Sequence, residues 1–175
     1  MSENKKYEFK QVDVRLCLKD APPYLSDKPI DNTDKAVALM TEILKDMDRE
    51  YFCVINLDAG LCPINYSIVS IGTNNKAMVS PSNVFKSAIL SNATAIIAIH
   101  NHPSGNPTPS QADLSVTERL VAAGKLLDIK CLDHVVIGQG NSLSIAAAYP
   151  NLFTGEGLNA GVAECNANNM RAFAI

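Results

Sequence analysis

The chain has 175 residues, of which 47% are hydrophobic and 19% charged, a composition typical of one globular domain and not of a disordered chain. The net charge of -3 offers no basic excess to neutralise phosphates, which argues against tight binding of nucleic acid. The longest apolar run, Ala95–Ile99, is far shorter than the roughly 20 residues of a membrane helix, and no apolar segment follows the polar N-terminus. We therefore expect a cytoplasmic protein that does not associate with membranes.

The first part of the chain predicts an arm followed by a strand. Residues 1–30 are treated as one N-terminal segment that begins with a solvated arm. Within it, Val12–Leu18 alternates apolar and other residues with a period of two, the pattern of a half-buried strand. Ala21–Pro29 contains three prolines and is expected to be an irregular connection.

From Asp31 onward the apolar spacing becomes helical, which predicts a helix that ends near Met47. Tyr51–Leu57 is typical of a strand, and Ile64–Ile71 of the strand that returns from it in a hairpin. Ser80–Leu90 then predicts a helix, because proline is favoured at a first helical position.

The second half continues the alternation of strands and helices. Ala93–Ile99 is apolar and rich in β-branched residues, as in a strand buried on both faces, and Ser110–Leu127 has helical spacing. Lys130–Ile137 and Leu143–Ile145 are strand candidates, whereas residues 151–175 predict a weakly ordered tail. We expect an α/β protein with a mixed sheet, because the hairpin is antiparallel.

The cysteines give no sign of a structural cross-link. They are five in number, scattered, and contain no C-x-x-C pair. A disulfide framework or an all-thiolate zinc site requires paired spacing. We therefore expect reduced, buried thiols at Cys17, Cys53, Cys62, Cys131 and Cys165.

The candidate chemistry lies between residues 100 and 113. His100 and His102 end the most buried strand, and alternate side chains of a strand point to the same side. Pro103 stops the strand, and Ser110-Gln111-Ala112-Asp113 has the form of a helix capping box. Asp113 would therefore lie in the first helical turn, where it can face the histidines. Two histidines and one aspartate leave a fourth tetrahedral position open for water, as in catalytic zinc sites.

Each of these features also has a purely structural interpretation. His100 and His102 could be two exposed strand residues, and Ser110 and Asp113 could be helix caps only. Two of the three histidines nevertheless fall in this one segment, which favours the metal site. We interpret the third, His134, as a hydrogen-bonded residue at a strand end; the alternative is a contact to substrate or to a metal ligand.

The run His100-Asn101-His102-Pro103-Ser104-Gly105, with Ser110 and Asp113, resembles the JAMM motif of the JAB/MPN metalloprotease superfamily, in its RadC-like branch. Asp48–Phe52, Ser80-Pro81 and Leu132–Gly138 are also similar to that branch, so the resemblance covers Asp31–Ala148. RadC proteins usually carry an N-terminal helix-hairpin-helix region, for which the segment before Asp31 is too short. The DNA-repair role attached to the RadC name is therefore not carried over.

The resemblance implies a cytidine-deaminase-like α/β domain over residues 31–150 that holds one Zn²⁺ per chain. It implies that His100, His102 and Asp113 are the zinc ligands. It also implies that the Ser110 hydroxyl lies near the metal-bound water and that Glu50 is the general base. Composition alone does not distinguish Glu50 from the neighbouring acids.

These implications favour a zinc-dependent peptidase or isopeptidase that acts on a peptide or protein. The alternatives are a RadC-type DNA-repair or nucleic-acid-processing factor and a non-catalytic interaction module. A zinc deaminase is excluded because its H-x-E and P-C-x-x-C elements are missing. The sequence leaves the identity of the substrate and the oligomeric state open.

Overall fold

A computed structural model describes residues 12–19, 29–44, 47–72 and 79–154 of the chain. Helices and strands alternate along it. In chain order the elements are α1 (Thr33–Leu44), β1 (Tyr51–Leu57), β2 (Pro63–Ile71), α2 (Pro81–Leu90), β3 (Ala95–Asn101), α3 (Gln111–Leu127), β4 (Lys130–Ile137), β5 (Ser142–Ser144), α4 (Ile145–Ala148) and α5 (Asn151–Thr154).

The strands form one mixed sheet in the order β2-β1-β3-β4-β5. β1 is antiparallel to both β2 and β3, β3 runs parallel to β4, and β5 is antiparallel to β4. α3 connects the two parallel strands, as such a crossover requires. The α/β class and the mixed sheet predicted from the hairpin are confirmed.

The sheet is covered on both faces. Cys53, Ile55, Ile97 and Ile99 pack with α1 in one buried cluster. Alternate residues of the same two strands, Phe52, Val54, Ile96 and Ala98, pack on the opposite face in a cluster with residues of α2 and α3. All seven residues of β3 are buried, as the continuous apolar run predicted, so the strand that carries the first histidine is rigidly held.

Capping residues set the beginnings of α2 and α3 where the sequence predicted them. Ser80 is the N-cap of α2 and Pro81 its first residue. Ser110 caps α3 through a complete capping box with Asp113, so this element of the motif has a structural role as well.

The strand predicted at Val12–Leu18 is wrong. Residues 12–19 adopt no regular secondary structure and are all exposed, with Val12 79% exposed. The period of two is present, but no strand pairs with this segment among the described residues, and an unpaired strand buries nothing. Ile145 also differs from the prediction, because it begins α4 and does not continue β5.

The predicted tail begins with structure. Asn151–Thr154 form α5, and Leu152 is buried there against other apolar side chains. The rest of the 151–175 segment lies outside the described residues. Of the cysteines, Cys53 is buried as predicted. Cys62 and Cys131 are only partly buried and Cys17 is exposed, so the prediction of burial is wrong for these three, and Cys165 is not described. Within the described ranges, every helix is too short or too polar to cross a bilayer.

Candidate metal centre

Two imidazoles meet at the carboxyl end of β3. His100 is fully buried, and His102 follows the last residue of β3. The backbone N–H of His102 donates to the carbonyl of Ile137 at 2.8 Å, which extends the pairing with β4 by one step. The two Nε2 atoms lie 3.0 Å apart. The structure therefore places both imidazoles together on one side of the sheet, as the spacing predicted.

Asp113 is brought to the histidines by the capping box of α3. The backbone N–H and the hydroxyl of Ser110 both donate to Oδ2 of Asp113, at 2.7 and 2.6 Å. Oδ1 then lies 3.5 Å from Nε2 of His100, and Oδ2 lies 3.8 Å from Nε2 of His102. The cap and the ligand role are thus compatible, because the cap orients the carboxylate toward the imidazoles.

The separations of these atoms fit a metal ion. Ligand atoms about 2.0–2.2 Å from a tetrahedral zinc are separated from one another by about 3.3–3.6 Å. The structure gives 3.0, 3.5 and 3.8 Å for the three pairs. Within the described parts of the chain, His100, His102 and Asp113 form the group whose donors lie close enough to share one ion. Nitrogen and carboxylate donors also suit zinc and other first-row divalent ions.

Both rings turn Nε2 toward this point because Nδ1 is engaged elsewhere. Nδ1 of His102 donates to the carbonyl of Asn106 at 2.7 Å, and Nδ1 of His100 lies 2.9 Å from Nε2 of His134. Burial lowers the pKa of His100 to about 4, against the opposing effect of the Asp113 carboxylate. At neutral pH His100 is therefore an uncharged imidazole, the form that binds metals.

Glu50 lies immediately before β1 and close to the candidate metal ligands His102 and Asp113. Its side chain is exposed, and its backbone carbonyl accepts from Gly72 at 2.6 Å. Partial burial raises the pKa of Glu50, the Asp113 carboxylate raises it further, and His102 opposes the shift. A carboxyl group whose pKa moves toward neutrality is a stronger base when ionised and is more often protonated at neutral pH, which suits a group that both accepts and returns a proton.

Comparison with known proteins identifies the family of this chain. A family model for the RadC-like JAB domain matches residues 30–149, which is most of the chain. The chain belongs to the RadC-like JAB domain family.

Relatives of this RadC-like JAB domain occur in bacteria and archaea. It is 43% identical over 116 residues to a UPF0758 protein of Caldanaerobacter subterraneus, over 66% of this chain and 50% of that protein. It is 44% identical over 108 residues to one of Methanosarcina acetivorans, over 62% of this chain and 47% of the relative. The chain therefore spans about half the length of these curated relatives, and their names state no activity.

In this RadC-like JAB domain the structure adds to the sequence interpretation of Ser110 and corrects that of His134. The Ser110 hydroxyl donates to the Asp113 carboxylate, so it orients a candidate metal ligand, and its role near a metal-bound water stays a prediction. His134 lies in the middle of β4 and is fully buried, so the interpretation as a strand-end residue is wrong. Its bond to His100 makes it the partner of a candidate metal ligand, which was the alternative.

Asn101 and Thr117 also contribute to the site, and sequence reasoning missed both. Asn101 accepts from the backbone N–H of Tyr51 at 2.7 Å and donates to the carbonyl of Arg49 at 3.0 Å, so it holds the backbone on either side of Glu50. Thr117 contacts His134 from α3. The position of Asn101 between two histidines of a strand could have indicated a role at the site. No feature of the sequence around Thr117 indicated one.

Proposed function

We propose that this RadC-like JAB domain is a zinc-dependent hydrolase that cleaves peptide or isopeptide bonds. The observation that carries the proposal is the convergence of His100, His102 and Asp113, with ligand-atom separations of 3.0 to 3.8 Å. Three protein ligands leave a tetrahedral ion one position for water, as in catalytic and not structural zinc sites. Zinc in such a site supplies Lewis acidity, which acidifies water and polarises a carbonyl group.

Glu50 is the residue that moves the proton. Its carboxylate accepts a proton from the attacking water and returns it to the leaving amine, the double role that one carboxylate performs in acid–base catalysis. The raised pKa of Glu50 supports both halves of this cycle, because it makes the carboxylate a stronger base and leaves more of the acid form present near neutral pH. Its exposure supports contact with an incoming substrate.

Ser110 contributes by position. Its hydroxyl holds Oδ2 of Asp113, which keeps the carboxylate aimed at the two imidazoles. In addition, we propose that a substrate carbonyl competes for this hydroxyl, so that Ser110 donates to the oxygen on which negative charge develops. This second role requires the Ser110–Asp113 bond to be shared or broken during turnover.

A peptide or protein is the proposed substrate, because the chain offers little to attract a nucleic acid. The net charge is -3, with 15 basic and 18 acidic residues. A nucleic-acid partner would require several lysines or arginines at the phosphates and would show a steep dependence on salt.

The first experiment is metal content per chain, measured on untagged protein after reconstitution with zinc. Wild type is expected to hold about one equivalent, and His102→Ala and Asp113→Ala to lose most of it. Glu50→Gln is the matched control, because it is not a ligand and should retain the metal. Peptide libraries analysed by mass spectrometry should then show cleavage by wild type and none by Glu50→Gln. Metal-free wild-type protein, or equal cleavage by both proteins, would refute the proposal.

A further inference from the structure

A line of hydrogen bonds runs from the buried metal ligand into α3. Nδ1 of His100 lies 2.9 Å from Nε2 of His134, and Nδ1 of His134 lies 2.6 Å from the hydroxyl oxygen of Thr117. That hydroxyl donates to the backbone carbonyl of Asp113 at 2.7 Å. His100, His134 and Thr117 are each fully buried, so water does not compete for these bonds. We call these three side chains the buried network.

The far end of the buried network sets the direction of every bond in it. A carbonyl oxygen only accepts, so the Thr117 hydroxyl donates its one hydrogen to the backbone carbonyl of Asp113. The Thr117 oxygen must then accept from Nδ1–H of His134. An uncharged His134 protonated at Nδ1 has a bare Nε2, which accepts from Nδ1–H of His100. His100 is left with its free lone pair on Nε2, the atom that faces His102 and Asp113.

We propose that His134 and Thr117 are positioning residues that fix the tautomer and the ring orientation of His100 for metal binding. The proposal rests on the proposed metal site and deepens it. Nδ1 of His102 donates to a backbone carbonyl, whereas Nδ1 of the buried His100 faces a side chain, that of His134, which fixes the same tautomer. Hydrogen bonds of this kind to ligating histidines typically change metal affinity by about 10- to 100-fold when they are lost.

Two further observations support a positioning role. The ring of Phe52 stacks on His100, with centroids 5.8 Å apart and planes 11° apart, and its centroid lies 5.1 Å from that of His134. Both imidazoles therefore have little freedom to rotate. The buried network also ends on the backbone of Asp113, so it connects one proposed ligand on β3 to another on α3. A disturbance at Thr117 should reach both.

The test compares two substitutions at Thr117. This residue is not a candidate metal ligand, and it contacts Asp113 only at the backbone carbonyl. Thr117→Val removes the hydroxyl and keeps a similar shape, whereas Thr117→Ser keeps the hydroxyl. Zinc dissociation constants are measured by competition with a chromophoric chelator, and the ligand field by the visible absorption of the Co²⁺-substituted protein. We expect affinity about 10- to 100-fold weaker for Thr117→Val, with an altered cobalt spectrum. Thr117→Ser should stay within about threefold of wild type.

A second pair keeps the test independent of how the Thr117 variants fold. His134→Gln can still accept from His100 through its amide oxygen and donate to Thr117 through its nitrogen, whereas His134→Leu can do neither. The Gln variant should therefore bind zinc more tightly than the Leu variant. Thermal unfolding of the metal-free proteins shows whether each variant is folded, and only folded variants are compared.

The outcomes separate this proposal from the proposed function. Equal zinc affinities and equal cobalt spectra for Thr117→Val and Thr117→Ser would overturn the positioning role while leaving the metal site intact. Equal affinities for His134→Gln and His134→Leu would overturn it as well. Wild-type protein that binds neither zinc nor cobalt would overturn the proposed function, and the positioning role with it.

Discussion

Asn101 lies in sequence between the two histidines of the candidate metal site, yet its side chain contacts the backbone beside the candidate base, Glu50. Side chains alternate along β3, so Asn101 shares the face of Ile99, opposite to His100. There its amide accepts from Tyr51 N–H at 2.7 Å and donates to the Arg49 carbonyl at 3.0 Å. These two bonds satisfy the backbone groups of Arg49 and Tyr51, on either side of Glu50, as a neighbouring strand would. We expect Asn101 to hold Glu50 in place without affecting the metal.

The substitution Asn101→Ala measures the strength of this contact. It removes two hydrogen bonds, each worth about 0.5–1.5 kcal/mol, so the free energy of unfolding should fall by about 1–3 kcal/mol. The upper half of that range is expected because Asn101 is only 6% exposed, which limits replacement by water. Urea unfolding gives the free energy, and amide hydrogen exchange at Tyr51 reports the local loss. Zinc content should remain that of wild type.

The control is Asn83→Ala, which shortens an exposed asparagine on α2 far from the site in sequence. It should change the unfolding free energy by about 0.5 kcal/mol or less. If Asn101→Ala leaves the free energy and the exchange at Tyr51 unchanged, the two bonds do not hold the Glu50 backbone. Loss of zinc in Asn101→Ala would show that this residue supports the metal ligands as well.

Other substitutions test the rest of the framework. Asp133 accepts from two backbone N–H groups through Oδ1 and from two hydroxyls through Oδ2. In Asp133→Asn the amide oxygen can still accept from the backbone, and the amide nitrogen can donate to the two hydroxyls once these rotate to accept. Urea unfolding should give Asp133→Asn a free energy of unfolding about 2–5 kcal/mol higher than that of Asp133→Leu. A Cβ on Gly138 would collide with the turn that follows His102, so Gly138→Ala should weaken zinc binding, whereas Gly60→Ala has room and should not. Burial raises the pKa of Cys53 to about 12, so a thiol reagent at pH 8 should label exposed Cys17 in the native protein and Cys53 after unfolding.

Much of the fold could be predicted because periodicity reports burial directly. The continuous apolar run at Ala95–Ile99 had to be buried on both faces, and the structure places β3 in the middle of the sheet. Val12–Leu18 shows where the same reasoning fails. Its alternation is as regular as that of a strand, but a strand also needs a neighbour to bond with, and a local pattern contains no information about one.

The candidate site divides in the same way. His100 and His102 are close in sequence, and the two-residue spacing on a strand fixed their common direction. The prediction of Glu50 as the general base came from the resemblance to a family, because no local sequence pattern distinguishes a catalytic acid before a strand from any other exposed acid. The contact of His100 with His134 joins residues 34 apart in sequence, and that of Asn101 with Tyr51 joins residues 50 apart. Such contacts follow from the order of strands in the sheet, which no local pattern determines.

The three candidate metal ligands differ in how deeply they are buried. The side chain of His100 is 0% exposed, whereas those of Asp113 and His102 are 15% and 18% exposed. Glu50 and Ser110 are exposed on the outer side. His100 is therefore the closed side of the candidate site, where Phe52 and the buried network hold it. Under the proposed function, a substrate reaches the site from the exposed side, where Glu50 and Ser110 are available to contact it.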